Sequence, residues 1–357
     1  PCDHGDRGPA ARVKGASPMN SWLRMPVAAP CAESREFAFK RQQQLTKPPG
    51  SLGRLEQLAI DFAGFQKTPT PELKHPVIRV FAADHGVVAE GVSAFPQAVT
   101  AQMIYNFVGG GAAITVLAKQ HGADFGVVNL GTVEPLGQMP KLLNIQIAAG
   151  TENFCQTAAM TQQQMETALE AGRDSCLDLP IDCFVGGEMG IGNTTSAAAI
   201  FCALLGTDVD DIVGRGTGVD DAGLQRKRQA VQRGLRLHAG AETSPEEILR
   251  CLGGFEIAAL VGAYIGHAQR GVPSLIDGYI ATAAALLACR ICPSVADWLV
   301  FSHCSAEAAH ALVLNSMDAQ PLVNLDMRLG EGSGAGVALS LIQSSLLLHS
   351  QMATFVE

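Results

Sequence analysis

From about residue 76 onward, short and nearly unbroken apolar runs alternate with Ala/Gly-rich segments of helical character. The runs fall at 77–83, 125–130, 181–185, 273–276 and 298–301, and each ends at a polar or glycine-rich turn. A strand with one wet face reads as alternating polar and apolar residues. A strand that is apolar throughout needs cover on both faces, and parallel sheets flanked by helices supply it. Helices are predicted between the runs, near 100–120, 161–178, 194–205, 221–238, 255–270, 278–291 and 305–317. The pattern therefore predicts an α/β fold with a doubly wound, mainly parallel, Rossmann-like sheet.

Two further helices precede any strand, at 31–46 and 51–66. In the second, Leu52, Leu55, Leu58 or Ala59, and Phe62 share a face, and Ser51 is a candidate N-cap after Pro48-Pro49-Gly50. A last helical segment, 334–350, can return to pack beside this pair. The expected division is a small helical domain from 21–70 with 319–357 and a large α/β domain from 71–318. Residues 1–20 lack an initiating Met and an apolar core; they read as a disordered or non-native extension, with Met19 a candidate natural start.

Composition narrows the function. With 47% hydrophobic and 17% charged residues the chain can bury a large core, unlike disordered sequences. Lys and Arg number 25 against 34 Asp and Glu, a net charge of −9, which argues against nucleic acid as a partner. The longest apolar run, 279–289, is well short of the ~20 residues a membrane span needs. Ten cysteines without a secretory signal read as reduced, buried small hydrophobes, and a cytoplasmic location is expected. Cys289 and Cys292 have CxxC spacing but lack two nearby ligands to complete a zinc site.

In doubly wound sheets ligands bind beyond the C-terminal strand ends. The residues placed there are Asp84-His85-Gly86, Gly187-Glu188, Asp277-Gly278 and Ser302-His303, which would line one crevice. Three glycine-rich segments, 185–196, 213–221 and 328–336, could cradle an anion, yet none fits GxxxxGK[ST] or a strand-linked GxGxxG. Asp220-Asp221 leads into Ala222-Gly223, not Thr-Gly-Gly, so a magnesium-bound pyrophosphate donor is not indicated. The helix opening at 193–195 after GGEMGIG suits a monophosphate; a plain tight turn is the alternative. Lys227, between Arg226 and Arg228, is either a solvated helix residue or a partner for that anion. Glu331, isolated between Gly330 and Gly332, is a bland loop residue or, if desolvated, a general base. Glu188 is a second such carboxylate, or a cap for the turn after it. His85 and His303 lack metal-site spacing, so hydrogen-bonded structural roles are expected, and neither metal nor cofactor is expected.

Taken together, eight ordered segments resemble one family: KPPGSLGRLE, AADHGVVAEGVSAFP, GGEMGIGNTTSAAA, GRGTGVDD, GGFEIAALVGA, DGYIATAAAL, SHCSAEAAHA and MRLGEGSGAG. The chain is similar to the nicotinate-nucleotide:dimethylbenzimidazole phosphoribosyltransferases from about residue 31 onward. The resemblance implies transfer of phosphoribose from nicotinate mononucleotide to 5,6-dimethylbenzimidazole, with inversion at the anomeric carbon, to give α-ribazole 5′-phosphate and nicotinate in cobalamin nucleotide-loop assembly. It implies Glu331 as the base that takes the benzimidazole N–H proton and Glu188 as a second charge nearby. Gly190, Gly192, Asn193 and Thr194 would bind the ribose phosphate, with Gly216 and Lys227 as partners. Asp84, His85, Gly187, Ser302, Gly330 and Gly332 would line the substrate crevice. Phe95 and Met103 stand where some members have Ser and Gln, implying a more apolar base pocket. A homodimer is implied by the resemblance alone. Two other functions stay open at this point: a hydrolase using Glu331 on water, and a non-catalytic azole or nucleotide binder.

Overall fold

A computed structural model describes residues 18–216, 218–240 and 244–355. The extension expected over residues 1–20 lies mostly outside the described residues, but Pro18–Arg24 forms a 3-10 helix, so regular structure starts ahead of the predicted boundary. The six strands are β1 (Pro76–Ala83), β2 (Asp124–Gly131), β3 (Leu142–Asn144), β4 (Cys183–Met189), β5 (Ser274–Ile276) and β6 (Leu299–Phe301). All pair in parallel, in the order β3-β2-β1-β4-β5-β6. The order reverses between β1 and β4, and the crevice opens at their C-terminal ends.

The helices are α1 (Ala32–Gln44), α2 (Arg54–Gln66), α3 (Ala98–Gly109), α4 (Ala113–Gln120), α5 (Gln162–Asp174), α6 (Asn193–Leu205) and α7 (Val209–Ile212). They continue as α8 (Asp221–Leu237), α9 (Pro245–Leu252), α10 (Phe255–Gln269), α11 (Tyr279–Ile291), α12 (His310–Ser316) and α13 (Ser333–Gln351). The single helix predicted at 100–120 is two. By length and composition 98–120 could cross a bilayer, but Gly110, at φ 82°, breaks it into helices of 12 and 8 residues. Helix α2 starts at Arg54 behind Gly53 (φ 55°), not at a Ser51 cap. The short edge strand β3 and the helices α7 and α9 were not predicted.

The layers are close-packed where the sequence is small. A Cβ on Gly172 of α5 would lie 1.8 Å from the Ala259 carbonyl oxygen, and one on Gly262 of α10 would lie 1.9 Å from that of Leu169. These two helices therefore touch backbone to backbone. At the chain ends α1 packs on α2 and α2 on α13. Arg41 of α1 donates to the His349 carbonyl at 2.7 Å, and Leu45 bridges to Thr354. Leu58 and Phe62 of α2 and Leu339 and Ile342 of α13 are buried in one core with the strands. Buried thiols behave as small hydrophobes: burial pushes Cys183 and Cys202 up to about 12.

Candidate active site

The decisive local feature is that β4 runs through its glycines. The predicted strand at 181–185 is displaced to Cys183–Met189, which places Glu188 inside the strand and not after it. Gly186 and Gly187 are there because their neighbours leave no room for a side chain: added Cβ atoms would fall 2.4 Å from Leu260 Cδ2 and 2.3 Å from the Glu331 carbonyl oxygen. The second contact brings the turn before α13 onto the strand end. In that turn Gly330, Glu331 and Gly332 have φ of 82°, 66° and 86°, three left-handed residues in succession. Glycine adopts this region freely, whereas Glu331 does so at about 1–2 kcal/mol. Such strain persists only where surroundings over-determine it.

The two glutamates meet here. Glu188 Oε1 faces the Glu331 backbone N–H at 3.4 Å, and Glu188 Oε2 accepts from Asn193 Nδ2. Both are nearly enclosed, Glu188 at 5% and Glu331 at 7% exposure. Burial pushes the Glu331 carboxyl up to about 7, with the Asp277 charge adding to it. Burial likewise raises Glu188, to about 8, followed by the charges of Asp277 and Glu256. Neither is the bland exposed carboxylate that its sequence neighbours would allow, and a carboxyl poised near neutrality suits proton abstraction.

Across the segment from Gly190 to Thr194 is a cation. Lys227 is 2% exposed, so the reading as a solvated helix face is corrected. Its Nζ donates to Thr194 Oγ1 at 2.8 Å, and a Cβ on Gly216 would sit 2.9 Å from both atoms. Among the described residues no carboxylate pairs with it within ion-pair distance, and burial drops its pKa to about 8. A buried ammonium beside the start of α6, with only the Glu307 charge acting on it from beyond ion-pair distance, can take up an anion by charge and by helix-end polarity. Two adjoining cavities share Gly190, Ile191, Asn193 and Thr194; one is lined by Glu188, Gly330 and Glu331, the other by Lys227 and Arg215.

The remaining predicted residues are placed as follows. Gly192 (φ 100°) opens α6, and Gly187 and Gly332 form the close contact described above. Asp84, His85, Ser302, Phe95 and Met103 line neither cavity. Asp84 Oδ2 accepts from the Val133 N–H at 2.9 Å, tying the ends of β1 and β2. His85 Nε2 pairs with Glu256 Oε1 at 2.5 Å, the structural role expected of it. Ser302 Oγ donates to the Asp277 carbonyl at 3.4 Å. Phe95 is on an exposed loop, and Met103 is half-buried on α3. The largest cavity, about 1040 Å³, lies along β6 beside α2 and contains none of these residues. Among the described residues no cluster of three His, Cys, Asp or Glu side chains is arranged to hold a metal.

Comparison with known proteins places the chain in a family. A family model described as phosphoribosyltransferase matches residues 27–357. The chain belongs to this phosphoribosyltransferase family. It is 54% identical to the nicotinate-nucleotide–dimethylbenzimidazole phosphoribosyltransferase of Xanthomonas oryzae over 341 residues, 95% of this chain and 98% of that one. It is 53% identical to the enzyme of the same name from Pseudomonas fluorescens over 95% of this chain and 97% of the other. A crystal structure of such an enzyme from Thermus thermophilus superposes with a TM-score of 0.86 at 42% identity, covering 92% of this chain and 98% of that chain.

Within this phosphoribosyltransferase fold several cavity or supporting residues escape sequence reasoning. Ser305, Glu307 and Arg328 line the Glu331 cavity beside Gly278 and His303, which the strand-end pattern does place in the crevice. Glu256, in the otherwise apolar start of α10, is fully buried against His85. Asp277 is buried against the turn that carries Glu331. The strand-end pattern places Asp277 in the crevice lining; the structure corrects this, since it is 1% exposed and lines neither cavity.

Proposed function

We propose that the chain transfers phosphoribose from nicotinate mononucleotide to 5,6-dimethylbenzimidazole, giving α-ribazole 5′-phosphate and nicotinate. The observation that carries this reading is a carboxyl raised toward neutrality and a buried ammonium in adjoining cavities, on either side of the segment from Gly190 to Thr194. Lys227 and the start of α6 hold the phosphate, which sets the anomeric carbon toward Glu188 and Glu331. The unprotonated benzimidazole nitrogen attacks that carbon as its bond to the pyridinium nitrogen breaks. The pyridine ring leaves neutral, and the other benzimidazole nitrogen gives its proton to Glu331. The two carboxyl groups favour the positive charge that develops on the ribose. The names of the relatives support the choice of both substrates. A homodimer and a cytoplasmic location complete the proposal, the latter supported by nine unpaired cysteines among the described residues.

The reading is tested by chromatographic product analysis with both substrates. Ribazole phosphate and nicotinate appearing together support it; nicotinate without ribazole phosphate means hydrolysis, and binding of both without turnover means a binder. The pH profile is a second check. Glu331 acts ionised, so kcat/KM should rise with pH through about 7; Lys227 acts protonated, so it should fall again above about 8. Lys227→Met should raise KM for nicotinate mononucleotide ~10- to 100-fold and abolish the alkaline limb. A limb that survives in this variant would belong to another group.

A further inference from the structure

Glu331 sits in a strained backbone conformation, and little in its own segment explains why it stays there. Helix α13 has Gly332 at its N-cap, which offers no side chain to the amides of the first turn. The local bonds within the turn are both from Ser333 to the Gly330 carbonyl, N–H at 3.0 Å and Oγ at 2.7 Å. The missing cap comes from the end of β5, 55 residues away. Asp277 Oδ2 accepts from the Gly332 N–H at 3.1 Å and Oδ1 from the Ala335 N–H at 2.9 Å. These are the positions at which a side-chain cap would normally act. Asp277 is 1% exposed and does not line the cavity, so substrate does not reach it.

Its second neighbour is a histidine. His303 Nε2 lies 3.8 Å from Asp277 Oδ1, and the ring is wedged against α13: a Cβ on Gly334 would fall 2.1 Å from His303 Cδ2. Thus Asp277 and His303 grip the first turn of α13 from β5 and from the segment after β6. We propose that Asp277 is a positioning residue for the transferase reaction, clamping the Gly330–Glu331–Gly332 turn and biasing the protonation of Glu331 through its own charge. The proposal rests on the reading of Glu331 as the base.

The charged groups around Glu331 are Glu188 from β4, Asp277 from β5, His303 and Glu307 from the segment after β6, and Arg328 from its own segment. Asp277 has the same sign as ionised Glu331. Removing its charge therefore favours the ionised base and moves the acid limb of kcat/KM to lower pH. Loss of one amide contact also loosens the turn, which lowers the plateau rate.

The test compares Asp277→Asn, Asp277→Ser and Glu331→Gln in the full chain by steady-state kinetics across pH, with thermal melts alongside. Asp277→Asn is expected to lower kcat ~10- to 100-fold with KM for nicotinate mononucleotide within about threefold. The ratio of kcat/KM at pH 6 to that at pH 8 should rise ~3- to 10-fold over wild type. Asp277→Ser, which keeps a capping oxygen without a charge, should shift the limb in the same direction and stands in if the Asn variant does not fold. A lowered melting temperature with an unmoved limb would reduce Asp277 to a helix cap and overturn the proposal, as would an Asn variant with wild-type kinetics. Near wild-type turnover by Glu331→Gln would instead overturn the base reading itself.

Discussion

Glu331→Gln is expected to lower the rate of ribazole phosphate formation about 10²- to 10⁴-fold, the range for removal of a positioned general base. The amide is close in size and can keep the left-handed backbone, so the loss should appear in kcat with the fold intact. Substrate binding should survive, because the anion site proposed at Lys227 and Thr194 lies in the adjoining cavity and not at Glu331. Product chromatography and a binding titration on the same preparation check both halves. A variant that turns over normally would show that the proton leaves by another route, with Glu188 a second carboxyl in the same cavity.

Gly187→Ala should have an effect of similar size for a different reason. Its Cβ would fall 2.3 Å from the Glu331 carbonyl oxygen and 2.7 Å from the carbonyl carbon, both backbone atoms that cannot swing aside. Either the turn lifts off the strand or β4 shifts, and overpacking of this kind costs about 1–3 kcal/mol. A displacement of roughly an ångström at the reacting groups can cost ~10²-fold in rate. The expected result is a protein that melts a few degrees lower and has lost at least about 10²-fold in kcat. A methyl group there without consequence for turnover would mean that contact between the turn and the strand does not set the position of Glu331.

The sheet was legible because its physics is repetitive. Strands covered on both faces are apolar throughout, and four of the five predicted runs lie within two residues of an observed strand at both ends. The fifth, β4, was misplaced because glycine is read as punctuation, while in β4 it makes room for Leu260 and the Glu331 carbonyl. The edge strand β3 was missed because it is only three residues long, Leu142-Leu143-Asn144, too short a run to show a period. In the site, Glu331 and Glu188 could be picked out by their glycine surroundings. The burial of Lys227 could not, since its neighbours Arg226 and Arg228 make it look solvated. Nor could the grip of Asp277 on α13, because it joins two amides to a carboxylate 55 residues away.

The position of Glu331 near the C-terminal end of the chain bears on the order in which a nascent chain acquires its parts. The six strands among the described residues are complete by Phe301, and with them the cavity that contains Lys227. The base arrives only at residue 331, and its turn is held only once Ala335 reaches Asp277. Helix α13 must then settle against α2 and α4, both made well before it. A ribosome-bound chain can thus assemble the binding end of its crevice while it still lacks the group that drives transfer. Competence waits for α13 to dock on helices made about 220 to 280 residues earlier.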